Sequence, residues 1–121
     1  LYTDSGAFDE KRVVAVLKPF LGIRRGGSTI VFIQGGHDLK GEDKMLAYIL
    51  MKKLLKSEGV IEEEGVSGKE VREQTELPKG TVDPTMQKLK NQGFLIGSGS
   101  NYEIPARRVE AVIERLERYR S

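Results

Sequence analysis

The chain has 121 residues, no cysteine and a net charge of +2 at pH 7. This length predicts a single domain, or one domain with a small appendage, that can bury a hydrophobic core without cross-links. The composition excludes a disulfide framework and a thiolate metal site, and no apolar run approaches the roughly 20 residues of a membrane-spanning helix. We therefore expect a protein of the reducing cytoplasm with no membrane partner.

Residues 1–41 are predicted to form an appendage of one helix and one β-hairpin. Asp9 is a suitable N-cap for the helix, and Pro19 ends it because proline cannot continue helical hydrogen bonding. Gly26 and Gly27 lie between two β-prone runs, which is typical of a hairpin turn. The predicted apolar stripe of this helix consists of Val13, Val14, Leu17 and Leu21.

The loop 34–41 contains His37, the only histidine of the chain. Asp38, Glu42 and Asp43 follow it, but there is no second histidine and no repeated ligand spacing. A solvent-exposed histidine is therefore favoured, and we predict no metal site. Glu42 and Asp43 more simply complement the partially positive amino end of the next helix.

Residues 44–57 form the most strongly predicted helix, because their apolar side chains recur at helical spacing over almost four turns. The resulting stripe is so wide that it must be covered on more than one side. One side is expected to pack on the helices that follow. The other side takes either the amino-terminal helix and hairpin or a second subunit. The stripe consists of Met45, Leu46, Ile49, Leu50, Leu54 and Leu55.

Two clusters of charge have more than one interpretation. Arg24 and Arg25 lie beside the hairpin turn, where contact with water is favoured over contact with phosphate. The run Glu62, Glu63 and Glu64 predicts a solvated loop or a short edge strand. Its alternative is a patch that repels a DNA backbone or docks a basic partner.

Residues 66–76 predict a short helix with a defined start. Ser67 and Glu70 have the spacing of a capping box, in which each side chain satisfies an end amide. The helix cannot continue far past Thr75, because Pro78 forces the preceding residue out of helical geometry. The segment 76–80 is therefore predicted to be a turn, with Leu77 as its inward anchor.

A second helix is predicted from about Thr81 or Asp83 to Gln92. Pro84 is tolerable only in the first helical turn, where its missing N–H has no intrahelical partner. Gly93 is typical of a helix-ending glycine. The inner face consists of Val82, Met86 and Leu89. The runs 94–96 and 102–104 flank Gly97-Ser98-Gly99-Ser100, which predicts a two-stranded hairpin.

The stretch GTVDPTMQKLKNQGFLI resembles the recognition helix and first wing strand of winged helix-turn-helix transcriptional regulators in bacteria and archaea. The shared pattern is a small residue, Thr81, Val82, a spaced Leu89, then Gly93 and an apolar strand. The resemblance covers about residues 44–119. It implies an α+β fold with a three-helix core and a β-hairpin wing in residues 42–121. It also implies double-stranded DNA as the partner and transcription regulation as the role.

The last predicted helix runs from Ala106 to Tyr119. Its apolar side chains recur at steps of three and four residues, so one face must be buried. That face packs either on its own domain or on a twin helix, and we expect a homodimer. The face consists of Val109, Val112, Ile113, Leu116 and Tyr119.

In the fold that the resemblance implies, the turn and the start of the second helix meet the major groove. Thr85 and Gln87 have side chains that can hydrogen-bond base edges. Basic residues are in excess in 77–121, at +3, against zero in 1–43 and −1 in 44–76. The predicted DNA-binding residues are Lys79, Thr81, Thr85, Gln87, Lys88, Arg107 and Arg108.

Two features depart from the family pattern and weaken the prediction of DNA binding. The alternative is a module that docks protein, and it is favoured by Asp83, the acidic run 62–64 and the near-neutral net charge. Asp83 would repel phosphate unless it caps the helix or accepts from a cytosine amine. The wing tip, 97–100, has no lysine or arginine. Catalysis is not expected, because His37 is the only imidazole and no nucleophile with a base is evident. No cofactor and no small-molecule ligand are predicted from any motif.

Overall fold

The computed structural model describes residues 8–24, 29–98 and 101–120. Within these ranges the chain is α+β, as predicted, with five α-helices and two small antiparallel hairpins. Three short 3₁₀ segments also occur, at Gln34–Asp38, Ala106–Arg108 and Arg118–Arg120. The helices and strands in chain order are α1 Glu10–Leu17, β1 Leu21–Ile23, β2 Ile30–Phe32, α2 Gly41–Ser57, α3 Gly68–Thr75, α4 Lys79–Asn91, β3 Ile96–Ser98, β4 Asn101–Glu103 and α5 Val109–Glu117.

Helix α1 begins as predicted, with the Asp9 carboxylate accepting a hydrogen bond from the backbone N–H of Arg12. Its buried face is Val13, Val16 and Leu17. The predicted stripe is wrong at Val14, whose side chain is 43 % exposed. Positions 13, 16 and 17 lie on one helical face, whereas position 14 is turned about 100° away from position 13.

The first hairpin is confirmed, because β1 and β2 pair antiparallel with Leu21 opposite Phe32 and Ile23 opposite Ile30. Leu21 and Ile30 point into the core. The predicted turn at Gly26-Gly27, with Arg25, lies outside the described residues. The segment predicted as a loop after β2 is instead a 3₁₀ turn over Gln34–Asp38, held by the N–H of Gly36 on the carbonyl of Ile33.

Helix α2 is the centre of the molecule, and almost every side of it is buried. It begins at Gly41, three residues before the predicted start. Helices α1, α3 and α5 and strand β1 all pack on it. The amino-terminal helix and hairpin therefore cover the part of the stripe for which a second subunit was the alternative. Residues from α1 to α5 belong to one hydrophobic cluster.

The inner face predicted for the last helix is confirmed for four of its five residues, whereas Tyr119 is half-buried. The α-helix is shorter than predicted, because Ala106–Arg108 and Arg118–Arg120 at its two ends are 3₁₀ segments. Val109, Val112, Ile113 and Leu116 are each no more than 1 % exposed. They are buried where α5 packs against α1 and α2. The stripe of α5 is thus covered by its own chain and offers no surface to a twin helix.

Helix α3 is capped by Ser67, whose Oγ accepts from the backbone N–H of Glu70 at 3.0 Å. The Glu70 carboxylate accepts hydrogen bonds from Tyr48 Oη at 2.6 Å and Lys52 Nζ at 2.9 Å, both on α2. The half of the capping box that Ser67 provides is therefore formed, and the Glu70 side chain ties α3 to α2. Leu77 follows as the half-buried residue of the predicted turn, beside the start of α2.

Helix α4 begins at Lys79, before either predicted start. Pro78 is its extended N-cap, and the backbone N–H groups of Thr81 and Val82 donate to the Pro78 carbonyl. Pro84 is consequently the sixth helical residue and lies beyond the first turn, contrary to the prediction. The carbonyl of Gly80 has no N–H four residues later to bind, but Gly80 is exposed, so water can satisfy it.

The inner face of α4, formed by Val82, Met86 and Leu89, is buried as predicted. Gly93 ends the helix with φ of 85°. Its N–H donates to the Lys90 carbonyl, and the N–H of Phe94 donates to the Leu89 carbonyl. These two bonds form a Schellman motif, which occupies Phe94 and delays the strand. As a result, β3 begins two residues later than predicted.

The second hairpin pairs Ile96 with Glu103 and Ser98 with Asn101, and residues 99–100 lie outside the described part. Val66, which precedes α3, exchanges two backbone hydrogen bonds of 2.8 Å with Tyr102 on β4. This bridge fixes the hairpin beside the start of α3. The hairpin, α3 and α4 therefore frame one surface.

Candidate nucleic-acid interface

Asp83, the carboxylate that departs from the resembled pattern, is paired within the chain. Arg72 Nη1 on α3 donates to Asp83 Oδ1 at 2.9 Å. The carboxylate lies on the side of α4 that faces α3, and an adjacent guanidinium neutralises its charge. Asp83 is therefore neither the cap of α4 nor an unpaired negative charge on the outer face of the helix.

An open cavity of about 350 Å³ separates the start of α3 from α4 and β4. Its walls include Ser67 and Lys69 at the amino end of α3, and Gln87 on α4. Backbone N–H groups at a helix amino end favour anions. Lys69 and Arg72 thus join the surface, although the predicted residues did not include them. The capping motif at Ser67 is the sequence signal that marks this amino end.

Five of the predicted residues lie together on α4. Four of them, Lys79, Thr81, Gln87 and Lys88, are exposed, and Thr85 is half-buried. Pro84 and Asn91 are also exposed, on the side opposite the buried residues. The outer face of α4 therefore presents amide and hydroxyl groups with a lysine at its amino end.

Lys88 forms an ion pair with Glu42 at the start of α2. Its Nζ lies 2.9 Å from Glu42 Oε2, and Arg115 Nη2 on α5 lies 2.6 Å from Glu42 Oε1. Burial acts to raise the pKa of Glu42, but the hydrogen bonds from Lys88 and Arg115 outweigh it and leave that pKa below its usual value. Lys88 nevertheless keeps 56 % of its side chain exposed.

The structure does not bring the two predicted arginines to the face of α4. Arg108 donates to the Gln92 carbonyl at 3.1 Å and stacks over the Phe94 ring at 5.4 Å. This hydrogen bond satisfies one of the free carbonyl groups at the carboxyl end of α4. Arg107 is exposed and lines a different cavity, which it shares with Glu64 and Glu103.

The three residues of the acidic run, Glu62, Glu63 and Glu64, differ in burial. Glu62 and Glu63 are exposed, as a solvated loop predicts, but Glu64 is buried. Its carboxylate lies 3.0 Å from Lys53 Nζ and 3.9 Å from Lys56 Nζ. The predicted solvation is thus wrong for Glu64, because the ammonium groups of α2 offset the cost of burying it.

His37 is exposed. Among residues 8–24, 29–98 and 101–120, no three histidine or acidic side chains are grouped so that they could hold a metal ion. In the same ranges, no helix combines the length and apolarity that crossing a bilayer requires.

The chain matches no protein-family model, no curated protein and no solved structure.

Proposed function

We propose that the protein is a winged-helix protein that binds double-stranded DNA and regulates transcription by occupying its site. The order of α3, turn, α4 and hairpin, with Val66 bridged to Tyr102, is compatible with a winged helix-turn-helix. The single observation that carries the proposal is the Arg72–Asp83 pair. It neutralises the one carboxylate of α4 and leaves a face without unpaired negative charge for a polyanion.

In this proposal α4 enters the major groove with its outer face. Gln87 is suited to a bidentate contact with adenine, and Thr81 and Thr85 to single hydrogen bonds. Lys79 would bind phosphate at one edge, and Lys69 with the amino end of α3 at the other. Lys88 would exchange Glu42 for a phosphate as the duplex docks. Arg107 would contact the backbone beyond the hairpin.

Docking of another protein is the second candidate. The observation that favours it is the intramolecular use of Lys88 and Arg108, which removes two predicted cations from a phosphate-binding surface. The affinity of such a surface for its protein partner would depend little on salt concentration. The affinity of a duplex-binding surface would fall steeply as salt rises, because binding of the phosphates releases counterions.

A homodimer is part of the DNA-binding proposal, because two copies present two α4 helices to two half-sites. The contact must use a surface other than the apolar stripe of α5, which its own chain covers. Sedimentation at micromolar concentration is expected to show a dimer, and a monomer alone would discard this part.

The proposal is tested by titrating random duplex DNA at several salt concentrations. We expect affinity to fall at least tenfold between about 50 and about 200 mM salt. Lys79→Glu is expected to weaken binding about tenfold and to reduce the salt slope by about 1. Lys18→Glu, a charge reversal at an exposed position just after α1, is the matched control and is expected to have a smaller effect.

Two results would contradict DNA binding. One is the absence of binding at protein concentrations of about 100 µM in low salt, where non-specific binders are already saturated. The other is an equal effect of Lys79→Glu and Lys18→Glu. Circular dichroism of each variant verifies that the fold is retained.

A further inference from the structure

The outer edge of the first hairpin is formed by β2, which pairs only with β1 in the part of the chain that the structure describes. The N–H of Ile33 donates to the carbonyl of Phe20, so these two residues form a hydrogen-bonded pair. Bonded and unbonded pairs alternate along an antiparallel ladder. Phe32 and Ile30, one and three positions before Ile33, therefore belong to unbonded pairs, and their N–H and C=O groups point away from β1.

Strand β2 lacks the features that commonly keep a free edge from pairing. Residues 29–33 are all β-branched or aromatic, with no charge and no proline among them. The register with β1 continues through the strand without a bulge. Charged residues, proline and bulges are the usual means by which a protein blocks an edge strand. The free edge of β2 is therefore suited to pair with a further strand.

A cavity of about 260 Å³ lies along this edge and is lined by three consecutive residues, Ile30, Val31 and Phe32. Neighbouring residues point to opposite faces of a strand, so a cavity that contacts all three lies at the edge and not over one face. Its volume is below the roughly 300–1,000 Å³ that is typical of small-molecule sites. We call this cavity the edge groove. Its other lining residues are His37, Lys44, Glu73, Gln74 and Glu76.

The wall of the edge groove that α3 provides is acidic. Glu73, in the last turn of α3, and Glu76, just after it, are exposed, and no ion pair among the described residues includes either of them. The carboxyl end of a helix adds partial negative charge. The single ammonium group of the lining is that of Lys44, whose Nζ lies 5.0 Å from the centre of the Phe32 ring. The groove therefore favours a partner with cationic side chains.

We infer that the edge groove binds an extended basic segment of another protein, which joins the first hairpin as a third strand. In an antiparallel arrangement, alternate residues of the segment bond to Ile30 and Phe32, and their side chains point to the same face as these two residues. That face packs on the helices, so lysine or arginine at the alternate positions meets Glu73 and Glu76. Main-chain hydrogen bonds supply affinity in this mode, and alternate side chains supply specificity. The inference does not depend on DNA binding by α4.

Binding is tested by titrating the full chain with a capped seven-residue peptide, TKVKVKT, and observing amide exchange by NMR. We expect a dissociation constant of about 1 mM or below. Exchange is expected to slow at Ile30 and Phe32, whose N–H groups gain partners, and to stay unchanged at Val31, whose N–H already bonds to β1. The matched peptide TEVEVET is expected to bind at least about tenfold more weakly. Equal binding of the two peptides, or unchanged exchange at Ile30 and Phe32, would overturn the inference.

Methyl groups on the peptide nitrogens separate strand addition from simple attraction between charges. In the antiparallel arrangement, the N–H groups of the peptide lysines face β2 and those of the valines face solvent. Methylation of the lysine nitrogens is therefore expected to weaken binding at least about tenfold. Methylation of the valine nitrogens is expected to weaken it less than about threefold. An equal loss in the two peptides would rule out a third strand.

Two substitutions locate the acidic wall. Glu73→Gln and Glu76→Gly are each expected to weaken binding of TKVKVKT about threefold. Glu76 has φ of 60°, which glycine adopts without strain, so Glu76→Gly tests the groove in a protein that keeps its fold. Glu63→Gln, which removes an exposed carboxylate before α3, is the matched control and is expected to have no effect. A loss with Glu63→Gln that equals the other two would show nonspecific attraction and discard the site.

A second copy of the chain is the competing occupant of the edge. Without peptide, we expect the exchange of the Ile30 and Phe32 amides to be independent of protein concentration. Exchange that slows as the concentration rises would show that β2 pairs with a second copy, and this result would overturn the inference in favour of a dimer contact.

Discussion

Glu42 shows how one side chain makes stability depend on pH. Its pKa is lowered from the usual 4.5, because the hydrogen bonds from Lys88 and Arg115 outweigh the effect of burial. The unfolded chain therefore binds this proton more readily than the folded one. The stabilisation by Glu42 is complete well above pH 4.5 and is lost as the pH falls through the lower pKa of the folded state.

The corresponding prediction concerns Glu42→Gln. At neutral pH the variant is expected to unfold with about 1–2 kcal/mol less free energy than wild type, because two charge-assisted hydrogen bonds weaken. The difference is expected to shrink as the pH falls below 4.5. Urea unfolding over a pH series measures it, with Glu62→Gln at an exposed position as control. A difference that does not change with pH would refute this account.

Residues that act on their neighbours in sequence were predictable, and residues that act across the fold were not. Asp9 and Ser67 cap helices within three residues of their own position, so their patterns are visible in the chain. The ion pair between Lys53 and Glu64 depends on how α2 meets the segment before α3. No local pattern distinguishes Glu64 from the exposed Glu63.

Among the elements, α4 shows why boundaries are harder to predict than the elements themselves. Its inner face follows from the spacing of Val82, Met86 and Leu89, and that face is confirmed. Its start was placed too late because Pro84 was assumed to occupy the first turn. Because Gly80 is exposed, water can bind its carbonyl, and the helix therefore tolerates the missing hydrogen bond at Pro84.

Because Pro84 lies beyond the first turn of α4, its replacement by alanine is expected to stabilise the protein. Pro84→Ala restores an N–H for the Gly80 carbonyl and is expected to raise the free energy of unfolding by about 1 kcal/mol or more. Pro105, an extended and buried residue before the last helix, is the matched control. Pro105→Ala is expected to destabilise, because the unfolded chain gains freedom. A loss of stability in Pro84→Ala, measured by urea unfolding, would show that proline is favourable at this position.

At the scale of the molecule, the sequence predicts a boundary after residue 41, whereas the hydrophobic core is continuous across that position. The broad stripe of α2 correctly predicted that more than one layer covers it. Composition and spacing could not show which segments form these layers, because every apolar stripe is equally suited to its own chain or to a second copy. The structure places α1 against both α2 and α5. An ion pair of Arg12 with Glu110 at 2.6 Å joins α1 to α5 at the surface.

This shared core predicts that α1 and α5 unfold together. Val16 is fully buried and Val14 is 43 % exposed, so Val16→Ala and Val14→Ala remove the same atoms from opposite sides of one helix. Val16→Ala is expected to cost about 2 kcal/mol and Val14→Ala less than about 0.5 kcal/mol. In native-state hydrogen exchange, Val16→Ala should lower the protection of amides in α2 and α5 by as much as in α1. If the three helices unfold cooperatively, a cavity at Val16 must lower the protection of all of them. Loss of protection in α1 alone would therefore mean that residues 8–24 unfold as a separate unit.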